Sequence, residues 1–123
     1  MDGRPLENRR ILVVEDEFFM ADELRQKLEA AGALVIGPAP SVERALALIK
    51  DEITIDAALL DVNLGGNMSY PVAEALIVRS VPFIFTSGYD ESVFSEHYAL
   101  MPRCQKPTEF SLIIGELVTL LPE

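Results

Sequence analysis

The amino-acid sequence predicts an α/β fold, a doubly wound five-stranded parallel sheet with helices on both faces. Three observations predict it. Short apolar runs of four or five residues, the pattern of strands buried on both faces, recur along the chain. Between them lie longer stretches in which apolar residues return at helical spacing. The strand-then-helix unit occurs five times in succession, which implies parallel pairing through helical crossovers.

Ile11 to Val14 is the first strand, and Met20, Leu24, Leu28 and Ala31 mark the first helix, closed by Gly32. Ala33 to Ile36 is the second strand, which Gly37-Pro38 is expected to stop. Ser41 is a good N-cap, and Val42, Ala45, Leu46 and Ile49 form the apolar stripe of a second helix. Ala57 to Leu60 is the third strand and runs directly into Asp61. A glycine-bearing loop, 63–68, then leads to a helix over 71–79, with Pro71 in the first turn, where its missing N–H costs nothing. Phe83 to Thr86 is the fourth strand, 90–98 a weak helical segment, and Arg103 to Gln105 a short fifth strand. Thr108 is expected to cap the last helix, whose stripe is Phe110, Ile113, Ile114, Leu117 and Leu121.

A chain of 123 residues suits one domain, here a core of about 10–121 behind an N-terminal tail of 1–9. Half the residues are hydrophobic and 24% are charged, an ordinary balance for a globular domain. The net charge of −10 is less ordinary; it repels phosphate backbones and anionic lipid, so neither nucleic acid nor membrane is expected as a partner. No apolar run approaches the roughly 18–20 residues of a membrane span, and residues 1–10 carry no secretory signal. Cys104 is the only cysteine, which fits a reducing compartment, and a cytoplasmic location is expected.

Ligands of an open parallel sheet sit beyond the carboxyl ends of its strands. Glu15, Asp16 and Glu17 follow the first strand, Asp61 the third, Ser87 the fourth, and Lys106-Pro107 the fifth. Two carboxylates about 5 Å apart at an effective dielectric near 20 repel by roughly 3 kcal/mol, so Glu15, Asp16 and Asp61 call for a cation. All-oxygen donors with few protein ligands suit Mg²⁺, with Mn²⁺ also possible. Asp61 is then a nucleophile toward a phosphoryl group, Lys106 a second positive charge, and Ser87 a hydrogen-bond donor to a phosphoryl oxygen. Singly, each of these residues reads as a helix cap or a solvated turn; the joint arrangement carries the argument. Glu17 reads as a solvated first-turn residue, His97 as a surface histidine, and Cys104 as a small hydrophobe.

Val-Val-Glu-Asp-Glu (13–17), Leu-Leu-Asp-Val-Asn-Leu (59–64), Thr-Ser-Gly (86–88) and Lys-Pro (106–107) together resemble the receiver domain of bacterial two-component response regulators. The resemblance implies a flavodoxin-like strand order of 2-1-3-4-5, with Asp61 as phospho-acceptor for a histidine kinase or histidine phosphotransfer protein. It implies Mg²⁺ held by Asp16, by Glu15 through water, by Asp61 and by the backbone carbonyl of Asn63. Ser87, followed by the small Gly88, matches the switch hydroxyl, Thr86 should point the other way, and Lys106 matches the family's lysine. Arg103 stands where receivers usually carry a switch aromatic. The run Pro82 to Tyr89 is similar to the stand-alone "FAT GUY" receivers, and Tyr89 with 90–101 is the expected substitute relay. Action through a downstream protein target, as a monomer or weak dimer without an output domain, follows as an expectation.

Other classes remain open in the sequence: a phosphatase-type or nuclease-type Mg²⁺ enzyme, or a receiver that docks without being phosphorylated. The nuclease type wants Asp-x-Asp where position 63 is Asn, and the phosphatase type wants Asp-x-Asp after the first strand, where it is absent. A flavin module would want a phosphate-cradling loop where Glu15-Asp16-Glu17 stands.

Overall fold

The computed structural model describes residues 4–87, 103–105 and 109–121, with Ser87 and 103–105 described as backbone alone. Strand β1 (Arg10–Val14) is followed by α1 (Phe18–Ala30), β2 (Leu34–Ala39), α2 (Val42–Asp51) and β3 (Ala57–Asp61). A short hairpin, β4 (Asn63–Leu64) and β5 (Asn67–Met68), precedes α3 (Tyr70–Val78), β6 (Phe83–Ser87), β7 (Arg103–Gln105) and α4 (Phe110–Leu120). The main sheet has the order β2-β1-β3-β6-β7 with all neighbours parallel. Leaving the hairpin out of the count, this is the expected flavodoxin-like 2-1-3-4-5 order.

Alternate residues of each strand serve opposite layers, because side chains change face at every step. Leu12, Val14, Ala58, Leu60, Phe83 and Phe85 pack with Ala45, Ile49, Val72 and Leu76 of α2 and α3. Ile11, Val13, Ala57, Leu59 and Ile84 pack with Leu24 and Leu28 of α1 and Ile113 and Leu117 of α4. A sheet covered on both faces explains why these strands read as unbroken apolar runs.

Four expectations change. Gly37-Pro38 does not stop β2, which runs on to Ala39. The register shifts between the pairs Leu12↔Ile36 and Val14↔Ala39, so three steps of β2 match two of β1. Proline is tolerated there because β2 is an edge strand. Gly37, at φ +94, meets the shift with no side chain: a Cβ would lie 3.0 Å from the Val13 carbonyl oxygen. Secondly, the loop 63–68 is a two-stranded antiparallel hairpin, closed by Gly65 (φ 60) and Gly66 (φ 93). Two positive-φ residues in succession are what a tight two-residue hairpin turn demands.

The third change concerns the tail. Residues 4–9, assigned above to a tail outside the core, are docked on it: Leu6 is fully buried in the α1–α4 layer, and its amide donates to the Ala31 carbonyl at 2.9 Å. Asn8 donates to Gly32 at 3.0 Å, so the segment covers the C-terminal end of α1. Lastly, α4 begins at Phe110 with Glu109 at the N-cap position and no side-chain cap bond. The expected cap, Thr108, and the expected helix over 90–98, with His97, lie outside the described residues. No described helix is long and apolar enough to cross a membrane.

The docked segment makes a stability prediction. Leu6→Ala should lower the unfolding free energy by about 2–5 kcal/mol in denaturant titration. Ile53→Ala, at a side chain 92% exposed, should change it by under about 0.5 kcal/mol. Equal effects would mean that residues 4–9 are not part of the folded unit.

Candidate functional site

The β1–β3 register pairs Val13 with Leu59 and Val14 with Leu60, so the next residues, Glu15 and Asp61, emerge from the sheet at the same level. The bulge in β2 contributes here as well: the Glu15 amide donates to the Ala39 carbonyl at 2.9 Å, which extends the pairing past the end of β1. One carboxylate oxygen from each of Glu15, Asp16 and Asp61 lies within 4.8 Å of the others. Glu15 and Asp61 are buried, at 2% and 3% exposure, while Asp16 faces solvent.

Backbone amides offset part of this crowding. The Glu17 amide donates to Glu15 Oε2 at 3.1 Å, and the Asn63 amide donates to Asp61 Oδ1 at 3.1 Å. Glu17 stays out of the cluster: its side chain is the N-cap of α1, accepting from Phe19 at 3.2 Å and Met20 at 2.7 Å. Asp22, on the next turn, is also occupied. Arg25 donates to it at 2.7 Å and Gln26 at 2.8 Å, and these bonds hold the Asp22 carboxyl below its ordinary pKa. Among the described residues, the negative charge facing the sheet edge is therefore that of Glu15, Asp16 and Asp61.

Like charges within 4.8 Å repel by about 3 kcal/mol per pair at an effective dielectric near 20. A shared cation removes that cost. Three hard oxygen donors, two buried and one open to water, fit a small divalent ion that keeps part of its hydration shell, as Mg²⁺ does. Asn63 lies one turn of chain beyond Asp61, half-buried, with its carboxamide oxygen accepting from the Gly66 amide at 2.8 Å.

The remaining expected site residues are placed less fully. Ser87 closes β6 opposite Gln105, and Arg103 pairs with Phe85 along the backbone. Thr86 is buried beside Asp61 in the sheet register and has the strand parity of Ile84. Lys106, Pro107, Gly88 and Tyr89 lie outside the described residues.

Two features went unread in the sequence. Phe18 and Phe19 open α1 next to the acidic cluster, 73% and 77% exposed, with their rings edge to face at 5.4 Å. The available signal was their position outside the Met20, Leu24, Leu28 stripe. Phe18 also borders a cleft of about 230 Å³ with Glu15, Asp16, Pro38 and Pro40. The second feature is the hairpin tip, since a Cβ on Gly65 would lie 3.7 Å from Asp16 Oδ2. A separate cleft of about 480 Å³ between α2 and α3 is lined mainly by aliphatic groups. Its Arg79 guanidinium is bonded to the carbonyls of Ile49, Glu52 and Ile53.

No protein-family model and no curated protein matches the chain. Solved structures do. SdrG from Sphingomonas melonis Fr1 matches with a TM-score of 0.81 and 38% identity over 98% of both chains. The BeF3-activated conformation of SdrG from Pseudomonas melonis Fr1 matches with a TM-score of 0.75 and 35% identity, over 98% of this chain and 100% of that one. A response regulator receiver protein from Sinorhizobium medicae WSM419 shares the fold, with a TM-score of 0.73 and 21% identity over 93% and 97% of the two chains.

The acidic cluster predicts linkage between divalent cation and stability. Mg²⁺ at a hundred times its dissociation constant should stabilise the fold by about 2.7 kcal/mol. Asp16→Asn should lose most of that gain in a thermal unfolding series with and without the ion. An undiminished gain in the variant would place the cation elsewhere.

Proposed function

The chain belongs to the receiver domains of response regulators, which act in phosphorylation-dependent signalling, and on that premise we propose that Asp61 is its phospho-acceptor. The observation that carries this reading is the convergence of Asp61 with Glu15 and Asp16 at one end of the sheet. A phosphorylated histidine of a histidine kinase or phosphotransfer protein is the donor. An Asp61 carboxylate oxygen attacks phosphorus, an acyl-phosphate P–O bond forms as the P–N bond breaks, and the bonding pair returns to the imidazole nitrogen. Burial keeps Asp61 largely out of bulk water, and the Asn63 amide orients one of its oxygens through the 3.1 Å hydrogen bond.

Glu15, Asp16, Asp61 and the Asn63 backbone carbonyl would hold Mg²⁺, or Mn²⁺ in its place. When bound, the ion supplies positive charge against the transferring oxygens. Lys106 is the second cation at the acceptor, and Ser87 hydrogen-bonds the product phosphoryl group. Tyr89, behind Gly88, takes the relay role that Arg103 cannot fill as an aromatic would. The output is contact with a protein target or onward phosphoryl transfer, by a monomer or weak dimer.

The exposed Phe18–Phe19 pair beside the cluster supports a protein donor, since a small donor has no use for an apolar rim there. Metal-dependent hydrolysis fits less well, because position 63 supplies no second acid and its carboxamide is committed to the Gly66 amide.

Mass spectrometry after incubation with acetyl phosphate and Mg²⁺ should show one added phosphoryl group, absent in Asp61→Asn; retention in the variant would move the acceptor. The double change Phe18→Ser, Phe19→Ser should slow transfer from a phosphorylated histidine phosphotransfer protein by roughly ten-fold, as expected on losing an aromatic anchor. It should leave transfer from acetyl phosphate intact. Equal slowing of both would remove the docking role.

A further inference from the structure

We propose that Asn63 is a positioning residue whose carboxamide clasps the β4–β5 hairpin and thereby sets the wall of the cation site. This inference rests on the reading of Glu15, Asp16 and Asp61 as that site. An asparagine two positions after an acceptor aspartate has two uses for its side chain: reaching toward the reacting group, or bonding its own turn. Here the carboxamide oxygen accepts from the Gly66 amide at 2.8 Å, while the backbone amide of the same residue donates to Asp61 Oδ1 at 3.1 Å. One residue thus ties the turn to the acceptor.

The consequence reaches Asp16. The base of the hairpin is fixed to the sheet, because Ser69 donates to the Val62 carbonyl at 2.8 Å and Val62 donates to Thr86 at 2.9 Å. Its tip is Gly65-Gly66, exposed and with both residues at positive φ. Glycine has the largest backbone entropy to lose, so such a tip holds its shape only when it is tied. The β4–β5 pairing ties the hairpin's base, and the Asn63–Gly66 bond ties the tip itself. With it made, Gly65 stands against Asp16, close enough that an added methyl would touch Oδ2 at 3.7 Å. The turn therefore borders the exposed Asp16 with backbone alone and leaves its oxygens room to bind. Without the tie, the Asp61 contact of the Asn63 amide and the wall beside Asp16 loosen together.

The chain itself suggests the rescue variant. Ser41 Oγ accepts from the amide three residues on, that of Arg44, at 3.1 Å, the same spacing as Asn63 to Gly66 and without added charge. Isothermal titration with Mg²⁺ should therefore find Asn63→Ala weaker than wild type by about ten- to a hundred-fold, the usual cost of removing a group that orients metal ligands. Asn63→Ser should regain most of the affinity. Amide exchange without metal should be faster at positions 63 and 66 in Asn63→Ala alone, with the thermal midpoints of all three proteins confirming that they are folded. Unchanged Mg²⁺ affinity in Asn63→Ala, or Asn63→Ser as weak as Asn63→Ala, overturns the clasp. Wild type that fails to bind Mg²⁺ overturns both the cation site and this inference, and the mass-spectrometric assignment of Asp61 is judged apart from either.

Discussion

In-register pairing of β1 with β3 brings two carboxylates to the same height at the edge of the sheet, where water is scarce. Everything else at this end follows from that. Glu15 and Asp61 cannot separate without breaking a ladder whose residues are buried on both faces, and Asp16 adds a third negative group within 4.8 Å. Proteins seldom bury like charges without compensation, because the cost of an unpaired buried ion is several kcal/mol. Two backbone amides provide part of the compensation, and three carboxylate oxygens this close also suit a divalent cation.

The scaffold shows how that arrangement is held. The register shift in β2 carries the Ala39 carbonyl to the Glu15 amide, so a bulge on the edge strand fixes the first acid. The hairpin after β3 fixes the backbone of Asn63 against the second. Glu17 turns the chain into α1 by capping it, which leaves Asp16 facing solvent beside the cleft of Phe18 and the two prolines. Irregular features cluster at the carboxyl edge of the sheet, while the opposite edge is occupied by ordinary packing and by Arg79 bonded to carbonyls.

Much of this was readable from residue types alone, for a physical reason. Strands such as Ile11 to Val14 and Ala57 to Leu60 feed both core layers, so their continuous apolar character is unmistakable. Acids placed directly after such strands had to meet at one edge, and Glu15, Asp16 and Asp61 do. The edge strand was harder to read: Gly37-Pro38 is a stop signal in most settings, and only its edge position lets β2 continue. Leu6 stands alone among polar residues and gives no periodicity, so its burial had no signal. The hairpin strands are too short to alternate, although Gly65-Gly66 between two asparagines was the one available cue. How the Asn63 carboxamide would be used depended on the folded backbone, whereas the outward Phe18 and Phe19 had a cue in lying off the Met20, Leu24, Leu28 stripe.

The most direct test of the central claim is a titration with Mn²⁺ followed by paramagnetic broadening of backbone amide signals. The convergence of the three acids predicts that broadening starts at residues 15–17, 61–63 and 65, while the amides of 49–53 and 77–79 at the far edge stay sharp. Broadening that starts instead along the acidic outer face of α1, around Glu23 and Glu29, or that is uniform over the surface, would contradict it.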